Sequence, residues 1–227
     1  MLALCCVSVL FKGKRLLSSL NLRLSPGELC VLVGRNGVGK SSLANALVAD
    51  GRYGVDGIVN FRGADVSNAA GLAIARLGVF LAFQHPVEIP GVMFIHFIKL
   101  AVGKLNAGLL KTLPSKLSAL TTFLSLPVSL LYRPVNVGFS GGEARMFELV
   151  QMVALEPKLC VLDETDSGLD RERLQCYASL VLAFGKSSRV VLVVTHNVSV
   201  IRMLAPDSVY YLTHAGFVNI RRALYIV

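Results

Sequence analysis

The residues GRNGVGKS at positions 34–41 match the pattern G-x-x-x-x-G-K-[ST] at every fixed position. Glycines in such a loop let backbone N–H groups turn toward phosphate oxygens, and a following helix adds the positive end of its dipole. Lys40 would place its charge on the β- and γ-phosphates, and the Ser41 hydroxyl would be a ligand for Mg²⁺. An ordinary glycine turn before a helix needs neither the lysine nor this spacing, so the pattern predicts a nucleoside triphosphate site.

The residues LDETDSGLD at 162–170 concentrate four acidic side chains in a chain that has fourteen Asp and Glu against twenty-three Lys and Arg. Asp163 ends an apolar run and is expected at the carboxyl edge of a sheet, where ligands of such folds bind. Its carboxylate can hold Mg²⁺ there, and Glu164 can orient or deprotonate an attacking water. Asp166 and Asp170 fit a polar loop or a helix cap better. The segment therefore predicts metal-dependent phosphoryl transfer at Asp163 and Glu164.

A third polar motif is FSGGE at 139–143. Ser140 with Glu143 three residues later has the spacing of a capping box at the start of a helix. Gly141 and Gly142 would each cost such a helix about 1 kcal/mol, which favours a second role in which a phosphate approaches their backbone N–H groups. The two roles are compatible because both use the unpaired N–H groups of a helix N-terminus.

The elements that must position these motifs are short apolar runs rich in valine. Such runs predict buried strands, and they cover residues 28–34, 159–164 and 189–196. A helical pattern follows each run, and the first such helix is expected at 40–48. Apolar strands that alternate with helices predict a parallel sheet covered on both faces, so the expected fold class is α/β with a parallel-sheet core.

The ends and the middle of the chain depart from this alternation. Shorter runs predict strands of an antiparallel flank, and they lie at 4–10, 208–213 and 217–220. In the middle, helical segments rich in Gly, Pro and Leu replace the strand-like runs. The sequence therefore predicts an α/β core formed by residues 1–85 and 133–227, with a helical subdomain inserted at 86–132.

Composition argues against direct membrane insertion, although 54% of the 227 residues are hydrophobic and the mean hydropathy is +0.63. The longest run without a charged residue, 117–132, contains Pro127 and is shorter than the roughly twenty apolar residues that a spanning helix needs. The N-terminal apolar stretch has no basic residues before it, so it does not fit a signal peptide. The net charge of +9 is scattered and not interleaved with aromatic residues, which favours a solvated basic surface over nucleic-acid binding.

The five cysteines form no C-x-x-C pair. Cys30 and Cys160 lie inside apolar runs. Small buried hydrophobic side chains in a reducing compartment are the expected role for these cysteines, ahead of disulfides or metal ligands.

The motifs, taken in order, resemble those of the ATP-binding-cassette (ABC) ATPases, a class of P-loop NTPase. The order is the glycine loop at 34–41, Gln84, SGGE at 140–143, CVLDE at 160–164, SGLD at 167–170 and His196 in VVTHN. The resemblance implies ATP and Mg²⁺ as cofactors, and an ABC-type nucleotide-binding domain. It also implies that two copies of the chain meet head to tail around ATP, each completing the other's site with its SGGE signature.

The resemblance also assigns roles residue by residue. The residues expected to bind nucleotide are Gly34, Asn36, Gly37, Gly39, Lys40, Ser41, Ser42, Gln84, Ser140, Gly141 and Gly142. The expected Mg²⁺ ligands are Ser41, Gln84 and Asp163, and the expected catalytic residues are Glu164, His196 and Lys40. Phe11 lies where the family has an adenine-stacking aromatic residue, and a core phenylalanine is an equal alternative.

Longer stretches resemble the SufC family, the ATPases of the SufBCD iron–sulfur cluster scaffold. The matching text is LAFQHPVEIPGV from Leu81, GFSGGE from Gly138 and LVQMVALEPKLCVLDETDSGLD from Leu149. This resemblance implies the scaffold proteins SufB and SufD as partners and a cytoplasmic location, or the equivalent organelle stroma or matrix. The ATPase subunit of an ABC transporter is the alternative. The chain departs from the family in the residues ARMF after SGGE, where a more basic run is usual.

Overall fold

The computed structural model describes residues 1–186 and 188–220, in which strands and helices alternate along the chain. The strands are β1 Leu2–Phe11, β2 Lys14–Leu24, β3 Leu29–Val33, β4 Tyr53–Phe61, β5 Ala64–Asp65, β6 Val79–Ala82, β7 Ile89–Met93, β8 Pro134–Val135, β9 Leu159–Asp163, β10 Val190–Val194, β11 Ser208–Thr213 and β12 Gly216–Asn219. The helices are α1 Lys40–Leu47, α2 Gly71–Arg76, α3 Phe94–Leu105, α4 Leu113–Phe123, α5 Gly141–Leu155, α6 Arg171–Gly185 and α7 Val198–Leu204. Two 3₁₀ helices cover Ala107–Lys111 and Val128–Tyr132.

The central sheet has six strands in the order β12-β11-β3-β10-β9-β6. The strand pairs from β11 to β6 are all parallel. In β10, VVLVV, every residue is buried, because side chains that point to opposite faces both meet apolar layers. Val191 and Val193 pack with the helical side, and Val190, Leu192 and Val194 pack with α1 and the antiparallel sheet. The predicted parallel α/β core and its three buried strands are confirmed.

The prediction for the C-terminal strands was wrong in part. β11 lies parallel to β3, with Ser208 opposite Cys30, and is therefore a strand of the core sheet rather than of an antiparallel flank. The reason is the crossover through α7. A helical connection returns the chain to the end of the sheet at which β10 began, so the next strand runs parallel to it. Within the described part of the central sheet, only β12 pairs antiparallel, through the short turn that follows Thr213. Residues 221–227, which the core prediction included, lie outside the described residues.

The N-terminal strand does belong to an antiparallel sheet, as predicted. That sheet has four strands in the order β2-β1-β4-β5, and β1 pairs antiparallel with both β2 and β4. Its inner face packs on α1 and the central sheet through Leu4, Leu17, Leu43 and Phe61. The sheet therefore supports α1, the helix that follows the glycine loop.

The middle segment is mainly helical but contains a strand that the sequence analysis did not predict. β7 pairs with β8, so a two-stranded ribbon joins the start of the helical segment to the residues that follow it. The helices pack on α5 through an apolar cluster that includes Phe94, whose ring lies edge-on to Phe147 at 4.7 Å. None of the helices within the described residues is long and apolar enough to cross a membrane.

Candidate nucleotide-binding site

The glycine loop connects the buried strand β3 to α1, which begins at Lys40. Gly37 and Gly39 have φ angles of 78° and 110°, in the left-handed region that favours glycine. An added Cβ on Gly39 would also lie 3.1 Å from the side chain of Leu17. Gly39 is the N-cap of α1 and provides no side-chain cap. The local sequence thus leaves the helix N-terminus open toward a ligand, as an anion site requires.

Lys40 is only 5% exposed, because α1 packs its start against the two sheets. Its Nζ donates to the carbonyl oxygens of Gly34 at 2.9 Å and Arg35 at 3.3 Å. These bonds hold the loop curled around the ammonium group. An ammonium group in this position can exchange a carbonyl partner for a phosphate oxygen without moving far.

Asp163 ends β9 next to the loop, where it is 3% exposed. Burial raises the pKa of its carboxyl group, and the neighbouring charge of Glu164 raises it further. Hydrogen bonding by Ser41 and the charges of Lys40 and His85 act in the opposite direction. Its Oδ1 has no hydrogen-bond partner within the described part of the chain.

A divalent cation fits the group of residues around Asp163. An unpartnered buried carboxylate oxygen beside a serine hydroxyl offers the oxygen ligands that Mg²⁺ prefers. The described residues contain no group of three His, Cys, Asp or Glu side chains suited to a metal. Mg²⁺ in nucleotide sites needs no such cage, because it is held by one or two carboxylates together with substrate phosphates.

Three strand ends bring Glu164, Gln84 and His196 together. Gln84 Nε2 donates to Glu164 Oε2 at 2.9 Å, and His196 Nδ1 lies 3.8 Å from Glu164 Oε1. Glu164 has a left-handed φ of 49°, and its backbone N–H donates to Val194 O at 2.9 Å. The chain therefore turns sharply after Asp163, so that adjacent carboxylates face different groups.

A cavity of about 310 Å³ lies between these groups. Most of the residues predicted to bind nucleotide line it, namely Asn36, Gly37, Gly39, Lys40, Ser41, Ser42 and Gln84, and the predicted catalytic residues Glu164 and His196 line it too. The side chain of His196 is 65% exposed at its mouth. The structure thus brings together polar groups from four separate motifs: the glycine loop, Gln84, CVLDE and VVTHN.

The residues of the signature SGGE are not among those that line this cavity. Ser140 caps α5, its Oγ accepting from the N–H of Glu143 at 3.2 Å while its own N–H donates to Glu143 Oε2 at 2.7 Å. The predicted capping box is therefore confirmed. Ser140 and Gly141 are exposed, and the guanidinium groups of Arg145 and Arg173 approach Gly141 and Gly142.

Asp166 and Asp170 differ in their outcomes. Asp170 caps α6 by accepting from the N–H of Arg173 at 2.8 Å, as predicted. Asp166 lies in the loop between β9 and α6, as predicted, but it is only 4% exposed and accepts from Thr195 Oγ1 at 2.7 Å. Thr195 also accepts from the N–H of Asn197 at 3.0 Å. This contact, which the sequence analysis missed, joins the loop after β9 to the residues around His196.

Phe11 does not line the cavity; it lies beside Tyr53, with the ring centroids 5.2 Å apart. Cys30 and Cys160 are fully buried, as predicted. Burial raises the pKa of the Cys30 thiol to about 12, so this side chain is an uncharged packing group.

The comparisons with known proteins agree with this site. The family described as "ABC transporter" matches residues 17–167. The chain is 36% identical to the "Probable ATP-dependent transporter SufC" of Escherichia coli (strain K12) over 96% of this chain and 91% of that protein. It is 34% identical to the "Iron-sulfur cluster assembly protein SufC" of Plasmodium falciparum (isolate 3D7), over 89% of this chain and 60% of that protein.

Among solved structures, the fold is similar to the dimeric post-hydrolysis state of the ATP-binding cassette MJ0796 bound to ADP and Pi. The TM-score is 0.80 at 18% identity, and the match covers 96% of each chain. The fold, the motifs and the full-length similarity therefore agree. The chain belongs to the ABC family of ATP-hydrolysing cassettes, and within that family to the SufC proteins.

Proposed function

We propose that this chain is the ATP-hydrolysing subunit of an iron–sulfur cluster assembly scaffold of the SufBCD kind, and that ATP-dependent pairing of two copies rearranges the scaffold. The observation that carries this proposal is the division of the site. Lys40 and Glu164 line one cavity, and Asp163 ends β9 directly before Glu164, whereas no residue of the signature at 140–143 lines that cavity.

Within one copy, the described contacts support distinct roles. Lys40 binds the β- and γ-phosphates, and Glu164 orients the attacking water or accepts its proton. Gln84 and His196, which flank the carboxylate of Glu164, hold it in place and contact the nucleotide. Asp163, Ser41 and Gln84 would hold Mg²⁺, which when bound neutralises phosphate charge that develops during transfer.

The signature supplies the other half of the site from a second copy. Ser140, Gly141 and Gly142 form an exposed helix N-terminus flanked by two guanidinium groups, so this surface has the positive potential that attracts a triphosphate. ATP that binds the closed pair more tightly than the single copy stabilises that pair by mass action, and hydrolysis releases it. A protein of this fold, MJ0796, is dimeric with ADP and Pi.

The scaffold partners are proposed from two observations. One is the name of the Plasmodium relative, an iron–sulfur cluster assembly protein. The other is a group of large exposed apolar side chains in and around the helical segment, namely Phe83, Val87, Val92, Met93, Leu100, Leu105, Leu110, Phe123, Val128 and Tyr132. SufB and SufD would cover part of this surface. A cytoplasmic or organellar location remains a prediction from the same resemblance.

The alternative function is the ATPase subunit of a membrane transporter, which the name of the E. coli relative, "Probable ATP-dependent transporter SufC", favours. Co-purification separates the two functions, because a transporter subunit would be recovered with a multispanning protein and a scaffold subunit with SufB and SufD. Recovery of the multispanning protein alone would contradict the scaffold proposal.

Turnover tests the ATPase itself. We expect weak hydrolysis by the chain alone, strict dependence on Mg²⁺, and stimulation by SufB and SufD, because each complete site needs two copies. Light scattering with Mg²⁺ and ATP should detect a paired species when Glu164→Gln slows hydrolysis. If no paired species forms with this variant and the scaffold present, the shared-site mechanism is wrong.

A further inference from the structure

A buried carboxylate on α5 has no role in the site described so far. Glu148 lies two helical turns after the signature and is only 5% exposed, between the fully buried Phe147 and Leu149. Burying a carboxylate is costly unless hydrogen bonds compensate for the lost water. Burial raises the pKa of Glu148 to about 7, against the opposing effect of three neutral hydrogen-bonding groups. Packing alone does not explain an acidic residue in this position.

Those three groups define what we call the Glu148 cluster: Glu148, Gln151, Asn136 and the backbone N–H of Phe83. Gln151 Nε2 donates to Glu148 Oε1 at 3.1 Å, one turn along the same helix. The N–H of Phe83 and the side chain of Asn136 also lie near enough to the carboxylate to lower its pKa. Two of the three partners therefore come from outside α5.

The two partners from outside α5 lie at the two ends of one short loop, residues 83–87. Phe83 precedes Gln84 directly. At the other end, Asn136 Nδ2 donates to Val87 O at 2.8 Å, and Asn136 is itself 4% exposed with a left-handed φ of 58°. The loop that carries Gln84 thus approaches Glu148 of α5 directly at Phe83, and indirectly at Val87 through Asn136.

The same loop reaches the candidate catalytic carboxylate, since Gln84 Nε2 donates to Glu164 Oε2 at 2.9 Å. α5 begins at the signature, with Ser140 as its N-cap. A continuous set of contacts therefore runs from the signature helix through Glu148 and the loop to Glu164. A rigid helix transmits a displacement along its axis, so movement of the signature would move the loop.

We propose that Glu148 is a positioning residue for ATP hydrolysis: it attaches the Gln84 loop to the signature helix, so that engagement of the signature sets the position of Gln84 against Glu164. This proposal rests on the proposed function, because it concerns the same composite site. Glu148 does not line the cavity that holds Lys40 and Glu164, and acts through Phe83 and Asn136.

Steady-state kinetics of the full chain with its scaffold partners tests this role. Glu148→Leu fills the same space without an acceptor for Phe83, and we expect kcat to fall at least tenfold. KM and the nucleotide affinity of the unpaired chain should stay within twofold, because the glycine loop is untouched. Glu148→Gln keeps one acceptor oxygen and should recover kcat to within about threefold of the wild type.

Two further variants separate positioning from general loss of stability. Val150→Ala is the matched control, since Val150 is fully buried on the same helix and its truncation leaves a cavity without removing a polar contact. Its kcat should equal that of the wild type below the melting temperature. Asn136→Ala releases the other end of the loop, and combining it with Glu148→Leu should reduce kcat no further than the larger single effect, because both act on one loop.

Hydrogen exchange gives a readout independent of turnover. The amides of residues 83–85 and 87 should exchange at least tenfold faster in Glu148→Leu than in the wild type, and their exchange should be unchanged in Val150→Ala. If the wild-type complex hydrolyses ATP and Glu148→Leu has the same kcat, the positioning role is wrong and the proposed function is unaffected. A wild-type complex that binds ATP and never hydrolyses it would overturn the proposed function, and the positioning role with it.

Discussion

Replacing Glu148 with glutamine should change how the stability of the chain depends on pH. The carboxyl group of Glu148 has a pKa of about 7 in the folded chain, against an ordinary value of 4.5, and burial is the main cause. Between these two values the folded chain retains a proton that the unfolded chain releases. The contribution of this group to stability is therefore complete below pH 4.5 and decreases until the pH passes 7.

The size of the effect follows from the two pKa values. At about 1.4 kcal/mol for each tenfold change in proton affinity, the interval from 4.5 to about 7 corresponds to about 3 kcal/mol. Solvent screening does not reduce this free energy appreciably, because the side chain is only 5% exposed. The groups that act on it, Gln151, Asn136 and the N–H of Phe83, do not titrate. Most of this difference should develop between pH 5 and pH 8.

The assay is urea unfolding followed by far-ultraviolet circular dichroism, which suits a chain without tryptophan. We expect the free energy of unfolding of Glu148→Gln, relative to the wild type, to rise by roughly 2 to 3 kcal/mol from pH 5 to pH 8. Glu172→Gln, which removes an exposed carboxylate from the first turn of α6, is the control for loss of one negative charge. A difference between Glu148→Gln and wild type that stays constant across this pH range would refute the reasoning.

Four further predictions concern the candidate nucleotide site. Lys40→Ala should abolish tight ATP binding in calorimetry, because it removes the buried ammonium group. Glu164→Gln should keep ATP affinity within about threefold while kcat falls by about 10² or more, the scale of a lost general base. Ser140→Arg should leave ATP binding by one copy intact and prevent the paired species in size-exclusion chromatography, since it places a bulky group at the signature. Asp163→Asn should stabilise the nucleotide-free chain toward urea by about 1 kcal/mol and abolish stabilisation by Mg²⁺ with ATP, because it removes a buried charge with an unpartnered oxygen.

Each of these predictions has an outcome that contradicts it. Normal turnover in Glu164→Gln would remove that residue from the chemistry, and pairing of Ser140→Arg with ATP would place the signature outside the shared site. Asp170→Asn is the control for Asp163→Asn, since asparagine caps a helix as well as aspartate does and the side chain is exposed. If Asp163→Asn keeps its Mg²⁺-dependent shift, another residue holds the cation.

The parts of the fold that could be predicted are those with a local cause. Gly37 and Gly39 occupy left-handed conformations that their own sequence favours, and Ser140 with Glu143 completes a capping box within four residues. The apolar runs of β3, β9 and β10 predicted buried strands because both faces of each strand are covered. The direction of β11 could not be predicted in this way, since its run has the same composition whether it pairs parallel or antiparallel.

The antiparallel sheet shows a second reason why strands could not be predicted from the sequence. β2 has a weak alternation of exposed and buried residues, and only its second half, from Leu20 to Leu24, repeats every two residues. Its pairing with β1 also includes register shifts, which interrupt the pattern further. A periodicity search therefore finds β1 and overlooks β2 and β4, although all three form one sheet.

By itself, the sequence determined the family and predicted which residues perform the chemistry, because motif spacing and backbone preference act over a few residues. Only the tertiary structure decided how they meet. Gln84 and Glu164 are separated by 80 positions, and Asp166 and Thr195 by 29. Neither contact has a local signature, since a hydrogen bond between distant segments depends on where the sheet places its strand ends. The burial of Glu148 has the same origin, because packing by neighbouring elements, rather than the residue type, removed its carboxylate from water.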